Sequence, residues 1–404
     1  MTSKTALSAF CASNGVLEFA ARRIAVPTQR TFSSTAQRNK NMVYFQKSSS
    51  KELDDLLHEI RHKIILPAYL PFDQRKKIYV KKYVKKLQSD PITIEIDGEV
   101  FKFRHQNPFT DVPETKRSLF RALQLFSTRE DFANLRPLIE GLVYTNRKLY
   151  SDALSRIVRM IGAKGHVYDV IELARGVKRT RFKLDSSEKV NEVLHHVQLK
   201  AVESDWDPAA TEKALRWAEI VLELIQEEDH QHVLPEGEFP PPGQLPLWRD
   251  PMVLLAPLHL AATLVQKQGA EADPALVDKV MSYANTIVLL WEEGKRLRQT
   301  QPEVLFELER ELYYLTEPNK FTKLVAPLLY GLEAAIKVVQ DRDPALAAQL
   351  QTRHDTLEAE VAPTRAVSQG KIGDAVWRWV FEGEKMIARE SVPGDGEALG
   401  EESK

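Results

Sequence analysis

His58-Glu59-Ile60-Arg61-His62 spells out a familiar chemistry through residue type and spacing. On a helix its two imidazoles stand one turn apart with a carboxylate beside them, the ligand-and-base arrangement of a zinc-dependent protease. The surroundings argue against a bound dication. Arg61 sets a cation between His58 and His62, Lys63 adds a second, and Pro67 closes the helix within five residues. His105 and Glu114 are the nearest nominees for a third ligand, and no spacing recommends either. The plainer expectation is an amphipathic helix with both histidines on its polar side. His195-His196 cannot aim two rings at one ion from adjacent helical positions, so a surface or interface location is expected. Gly162-Ala163-Lys164-Gly165 lacks the spacing and the Lys-Ser/Thr ending of a phosphate loop, and no G-x-S-x-G elbow is present. The single cysteine, Cys11, rules out a disulfide scaffold and a multi-cysteine zinc site. No enzyme site and no cofactor are expected.

The stronger signal is cationic. Residues 75–86 carry Arg75, Lys76, Lys77, Lys81, Lys82, Lys85 and Lys86, interleaved with Tyr79 and Tyr83. Residues 175–183 carry Arg175, Lys178, Arg179, Arg181 and Lys183. Cations placed on phosphates release condensed counterions, and exposed aromatic rings stack unpaired bases. The net charge of −1 over 404 residues hides a division of labour. Residues 1–200 hold 36 Lys+Arg against 21 Asp+Glu, a net of +15, whereas residues 201–404 hold 20 against 36, a net of −16. One half suits a polyanion, RNA rather than DNA since no DNA-binding motif occurs, and the acidic half suits a protein partner.

The elements that must carry these residues read as helices. Leu53, Leu56, Leu57, Ile60 and Ile64 recur at helical spacing up to Pro67. The one strand signal lies at 92–104, where Ile92, Ile94 and Ile96 alternate, Asp97-Gly98 makes a turn, and Val100, Phe101 and Phe103 return. Helical stripes then follow one another from 116 to 228. Residues 229–250 hold Pro235, Pro240, Pro241, Pro242 and Pro246 and read as a linker or surface loop. An acidic helical bundle fills 251–390, with capped starts at Asp273-Pro274 and Asp343-Pro344. Its most apolar run, Met252 to Val265, is too short to span a membrane and contains Pro257 and His259. The fold class expected is all-α, stacked helical hairpins in the manner of an α-solenoid, with one small β-hairpin.

The ends read differently. Residues 1–39 have basic and hydroxylated residues, one acid (Glu18), and an amphipathic stripe of Val16, Phe19, Ala20 and Ile24, as a mitochondrial presequence does. Arg30-Thr31-Phe32-Ser33-Ser34-Thr35 resembles a matrix-processing site, and its removal would take Cys11 with it. Residues 40–115 form a basic N-terminal segment. Residues 391–404, rich in Gly, Glu and Ser, form a fraying tail.

One helical unit is more specific than the others. Residues 151–185 resemble a pentatricopeptide repeat, with Leu154 in the first helix and Lys164-Gly165 at the turn. Val170, Leu173 and Val177 match the second helix, and Phe182-Lys183-Leu184-Asp185 matches the repeat's end. The first helix is three residues longer than the family's, Arg181 replaces a glycine, and Leu184 replaces a proline. Residues 117–148 and 186–228 match in apolar spacing alone. The resemblance implies a right-handed helical stack and a role in organelle gene expression. The expectation is a non-catalytic protein of the mitochondrial matrix that contacts RNA or the mitochondrial ribosome through its basic half. The rivals are an assembly scaffold for a respiratory complex, binding protein only, and a zinc metalloprotease built on His58 and His62.

Overall fold

A computed structural model describes residues 42–96, 98–232 and 237–385. The presequence with its processing motif and Cys11, the C-terminal tail, Asp97 and Pro235 lie outside the described residues.

Helix α1 (Lys51–Ile60) begins where the Ser50 hydroxyl accepts the Leu53 N–H, and it buries Leu53, Leu57 and Ile60. A π-helical turn at Arg61–Ile65 and a 3₁₀ turn at Leu66–Tyr69 carry the chain past Pro67, whose missing N–H forbids a regular continuation. Two short helices follow, α2 (Phe72–Tyr79) and α3 (Val84–Ser89), joined by a 3₁₀ turn at Lys81–Tyr83. Strands β1 (Ile92–Ile96) and β2 (Glu99–Phe103) form the expected antiparallel hairpin, with Ile92 opposite Phe103 and Ile94 opposite Phe101. Phe101 and Phe103 point into the protein while Val100 and Lys102 point out, the period of two that a half-buried strand requires.

The rest is helical. The successive elements are α4 (Thr115–Leu125), α5 (Arg129–Ala133), α6 (Leu135–Tyr144), α7 (Ser151–Ala163), α8 (Val167–Arg175) and α9 (Val177–Thr180). After them come α10 (Ser187–Glu203), α11 (Pro208–Leu224), α12 (Pro251–Gln268), α13 (Pro274–Leu290), α14 (Pro318–Gln340), α15 (Pro344–Val367) and α16 (Ile372–Glu382). Consecutive helices pair as hairpins, α7 with α8, α10 with α11, α12 with α13 and α14 with α15. Each of α11 to α15 starts on an acid followed by proline: Asp207, Asp250, Asp273, Glu317 and Asp343 accept N–H groups of the first turn. Proline at the first helical position gives up an N–H that has no partner there anyway.

Helices α10 and α12 form the centre. Residues 251–265 of α12 are buried on every side, so the run that looked almost membrane-like is a core helix. Among the described residues no helix is long and apolar enough to cross a membrane. Two glycines let one hairpin pack closely on another. A Cβ at Gly162 of α7 would stand 2.2 Å from the His196 ring, and one at Gly331 of α14 would stand 2.3 Å from His259 Cβ.

Three expectations are corrected. His195 and His196 are not surface residues: α10 is covered by α7, α8, α11, α12 and α14, and both rings are buried. The second helix of the repeat-like unit does not run through Val177, because α8 ends at Arg175 and a separate short turn, α9, follows Gly176. The proline-rich stretch does not separate one bundle from another. The described residues from Val43 to Lys385 form one compact unit in which α12 packs on both α10 and α11. Its described end is tied down: Leu245 N–H donates to Gln301 Oε1 at 3.1 Å and Gln244 Nε2 to Glu311 at 3.3 Å.

Candidate nucleic-acid interface

The two cationic clusters meet different fates. Along 72–89 only Ile78 and Leu87 are driven into the interior, and they hold α2 and α3 down. The backbone adds a clamp where the Gln106 N–H donates to the Ile78 carbonyl at 2.9 Å. Lys76, Lys77, Lys81, Lys82, Lys85 and Lys86 are exposed, and Arg75 is half-buried. No carboxylate among the described residues comes within 4.0 Å of any of these seven cations. Aromatic rings lie beside them instead: Lys82 Nζ is 5.1 Å from the Tyr83 ring centre, and the Arg75 guanidinium is 5.9 Å from that of the exposed Phe72.

The 175–183 cluster is largely answered within the protein. Arg175 pairs with Glu172 at 2.9 Å, Lys178 with Asp229 at 3.5 Å, and Arg179 with Glu140 of α6 at 2.8 Å. Arg181 is exposed and takes the left-handed conformation that ends α9, where the resembling family keeps glycine. Lys183 is half-buried.

The HEIRH segment is built for packing. Glu59 is tied to Lys63 at 2.7 Å, and the His58 and His62 rings stack on each other with centres 4.0 Å apart. Arg61 spans from the Val43 carbonyl (3.0 Å) to Glu99 (3.4 Å) and lies over the Phe101 ring. Burial, then the nearby His58 and Arg61 charges, push the His62 pKa below its usual value. Among the described residues, three ligand atoms close enough for one ion occur at His354, Asp355 and Glu358 of α15, not here.

Two organising residues escaped the sequence reading. Asp131, buried in α5, accepts N–H bonds from Ser49, Ser127 and Thr128 and the Ser49 hydroxyl, all within 2.9 Å. Asn134 holds both backbone groups of Gln46, so the stretch 46–49 is stitched along α5. Lys164, noticed as a turn residue, sends its ammonium to the carbonyls of Leu123, Gln124 and Phe126 at 2.8, 2.7 and 2.6 Å. It closes the C-terminus of α4, where a cation is favoured. The capping box Thr128–Asp131 was the one local signal for the first; nothing local announces the second.

The chain has relatives among known proteins over most of its length. The family model for mitochondrial ribosomal protein mS27 matches residues 30–379. The chain belongs to the mitochondrial ribosomal protein mS27 family. It is 36% identical over 369 residues to the small ribosomal subunit protein mS27 of Neurospora crassa, covering 88% of this chain and 93% of that one. Membership makes the chain a non-catalytic, ribosome-associated protein of the mitochondrial matrix that works in organelle gene expression. The protease reading of His58 and His62 and the respiratory-complex scaffold both give way to it.

Proposed function

We propose that this mS27-family chain is a component of the small mitochondrial ribosomal subunit and grips ribosomal RNA with residues 75–86. The observation that carries the reading is the lack of any carboxylate partner, among the described residues, for seven cations packed into twelve positions. A protein that spends no acid on such a run keeps it for an outside anion. The 175–183 cations act at second rank, since three of them are already paired. The α7–α8 hairpin, closed by a short turn, supports a pentatricopeptide-like reading of residues 151–185, and α10–α11 supports a looser one of 186–228. Exposed Val304, Leu308 and Tyr313, standing among Glu303, Glu307 and Glu309, support a basic protein as the partner of the acidic half.

Reversing Lys81, Lys82, Lys85 and Lys86 to Glu tests the RNA contact. The variant should unfold at the wild-type temperature, fail to enter the small subunit on a sucrose gradient, and lose about three units of slope in log K against log salt. Normal incorporation and an unchanged salt slope would refute it.

A further inference from the structure

Where the HEIRH turn faces strand β2, the surface folds into a cavity of about 240 Å³ lined by His62, Glu99, Val100, Phe101, Lys102 and Gln106. Sites for drug-sized ligands start near 300 Å³, so this one suits a smaller planar guest. We infer that it receives one unpaired nucleobase of the bound RNA, adenine by preference. The inference rests on the RNA contact proposed for residues 75–86 and adds to it a position and a base.

Four observations lead there. The cavity adjoins the free cations, because the backbone of Gln106 is bonded to Ile78 in the middle of the basic run. An RNA strand on those lysines passes the opening, and exposed Lys102 at the rim meets its next phosphate. One wall is the His62 ring, whose neighbour His58 stacks behind it, with Phe101 6.3 Å away at a tilt. Burial and the nearby His58 and Arg61 charges lower the His62 pKa, which favours the neutral ring as a flat stacking face. The Gln106 Oε1 is buried without a hydrogen-bond partner, an unmet acceptor of the kind native interiors rarely tolerate. Finally, Glu99, which also faces the cavity, has its charge offset by Arg61.

Those two acceptors call for a base with an exocyclic amine and disfavour uracil. A rotation of the Gln106 carboxamide, whose Oε1 has no partner holding it, brings an acceptor and a donor side by side to the guest. That pair matches the amine and neighbouring ring nitrogen of adenine or cytosine, and the larger purine face is the better partner for the His62 ring.

The experiment is fluorescence anisotropy of labelled single-stranded oligo(A) and oligo(U) with the full chain, its Gln106→Leu and His62→Ala variants, and the four-lysine reversal. Wild type should prefer oligo(A) by about tenfold, the lower end of what one such pair discriminates. Gln106→Leu should erase the preference while leaving oligo(U) affinity and the salt slope in place. His62→Ala should weaken oligo(A) about tenfold, and unchanged thermal melts certify both folds. The lysine reversal should weaken both oligomers alike. Equal affinity of wild type for A and U, or a preference that survives Gln106→Leu, overturns the base pocket but leaves the phosphate contact standing. Free AMP displacing oligo(A) at equal concentration would mark a mononucleotide site and overturn the assignment to RNA. Failure of the wild type to bind either oligomer would sink the RNA contact itself.

Discussion

Asp131 joins chemistry to architecture at a single residue. Burial alone would raise its carboxyl pKa, but the N–H groups of Ser49, Thr128 and Ser127 and the Ser49 hydroxyl outweigh it and hold the pKa far below the ordinary value. A depressed carboxyl contributes stability that is complete above its unfolded pKa, about 3.9. That contribution is lost as pH falls toward the folded value. Asp131→Asn should therefore lower the melting temperature at pH 7 and flatten its decline below pH 5, as measured by thermal melts across pH. Buried histidines add an acid-labile term of another kind. Burial pushes His196 down to about 4 and His259 to about 3, so both are neutral in the folded protein. The unfolded chain takes up their protons first, near 6.5, and stability should fall between pH 6.5 and about 3 to 4. His196→Gln should remove some of that slope in urea titrations. Glu59→Gln, by contrast, breaks only a surface pair one turn long, worth about 0.3–0.5 kcal/mol. It should rescue a deletion strain in full.

Among the elements, α10 and α14 are locked by one ion pair inside the core. Lys323 Nζ reaches both Glu192 oxygens at 2.7 and 2.8 Å, and the His196 ring is 3.9 Å from the same carboxylate. Burial opposes the Glu192 charge, and the Lys323 charge beside it wins and lowers its pKa. Lys323→Met strands that charge and should cost about 3–5 kcal/mol, whereas Glu192→Gln with Lys323→Met should recover most of the loss. A double-mutant cycle in urea measures the difference. The ladder of acid-proline starts is cheaper per member: Asp273→Ala should cost about 1 kcal/mol by the same measurement.

Those starts show what the sequence discloses. Asp273-Pro274 and Asp343-Pro344 were readable, and Asp207-Pro208, Asp250-Pro251 and Glu317-Pro318 obey the same local rule. The β-hairpin was readable too, since alternation and a turn are local. The burial of His195-His196 was not, because five other helices decide it, α12 and α14 among them from far along the chain. Likewise Lys178 and Arg179 read as free cations until Asp229 and Glu140 are brought to them by folding. The 75–86 run was legible as charge, but the cavity beside it needed β2 and the 61–65 turn to be placed together.

For the whole molecule, the charge asymmetry is not a division into independent halves. Ser187 and Asn191 of α10 bond to the buried Tyr314 hydroxyl at 2.9 and 3.0 Å, and Glu192 needs Lys323. A fragment ending at Asp229 would leave those groups and the α12-facing surface bare. Far-UV circular dichroism and size-exclusion chromatography of residues 43–229 should show a non-cooperative, self-associating chain, and adding residues 250–385 should restore a sharp transition. The acidic excess is likewise partly internal, since five of its carboxylates are committed to helix starts.

The stitched segment at 46–49 has a consequence for the order of events during import. A chain threaded amino end first delivers Gln46 and Ser49 well before Asn134 and Asp131, their partners 88 and 82 positions later. At about 3.3 Å per extended residue, that lag is longer than any narrow pore. The leading edge therefore emerges into the matrix with nothing to close on, available to chaperones. It closes only when α5 has crossed, so this segment waits unfastened for partners that follow it by 82 and 88 positions.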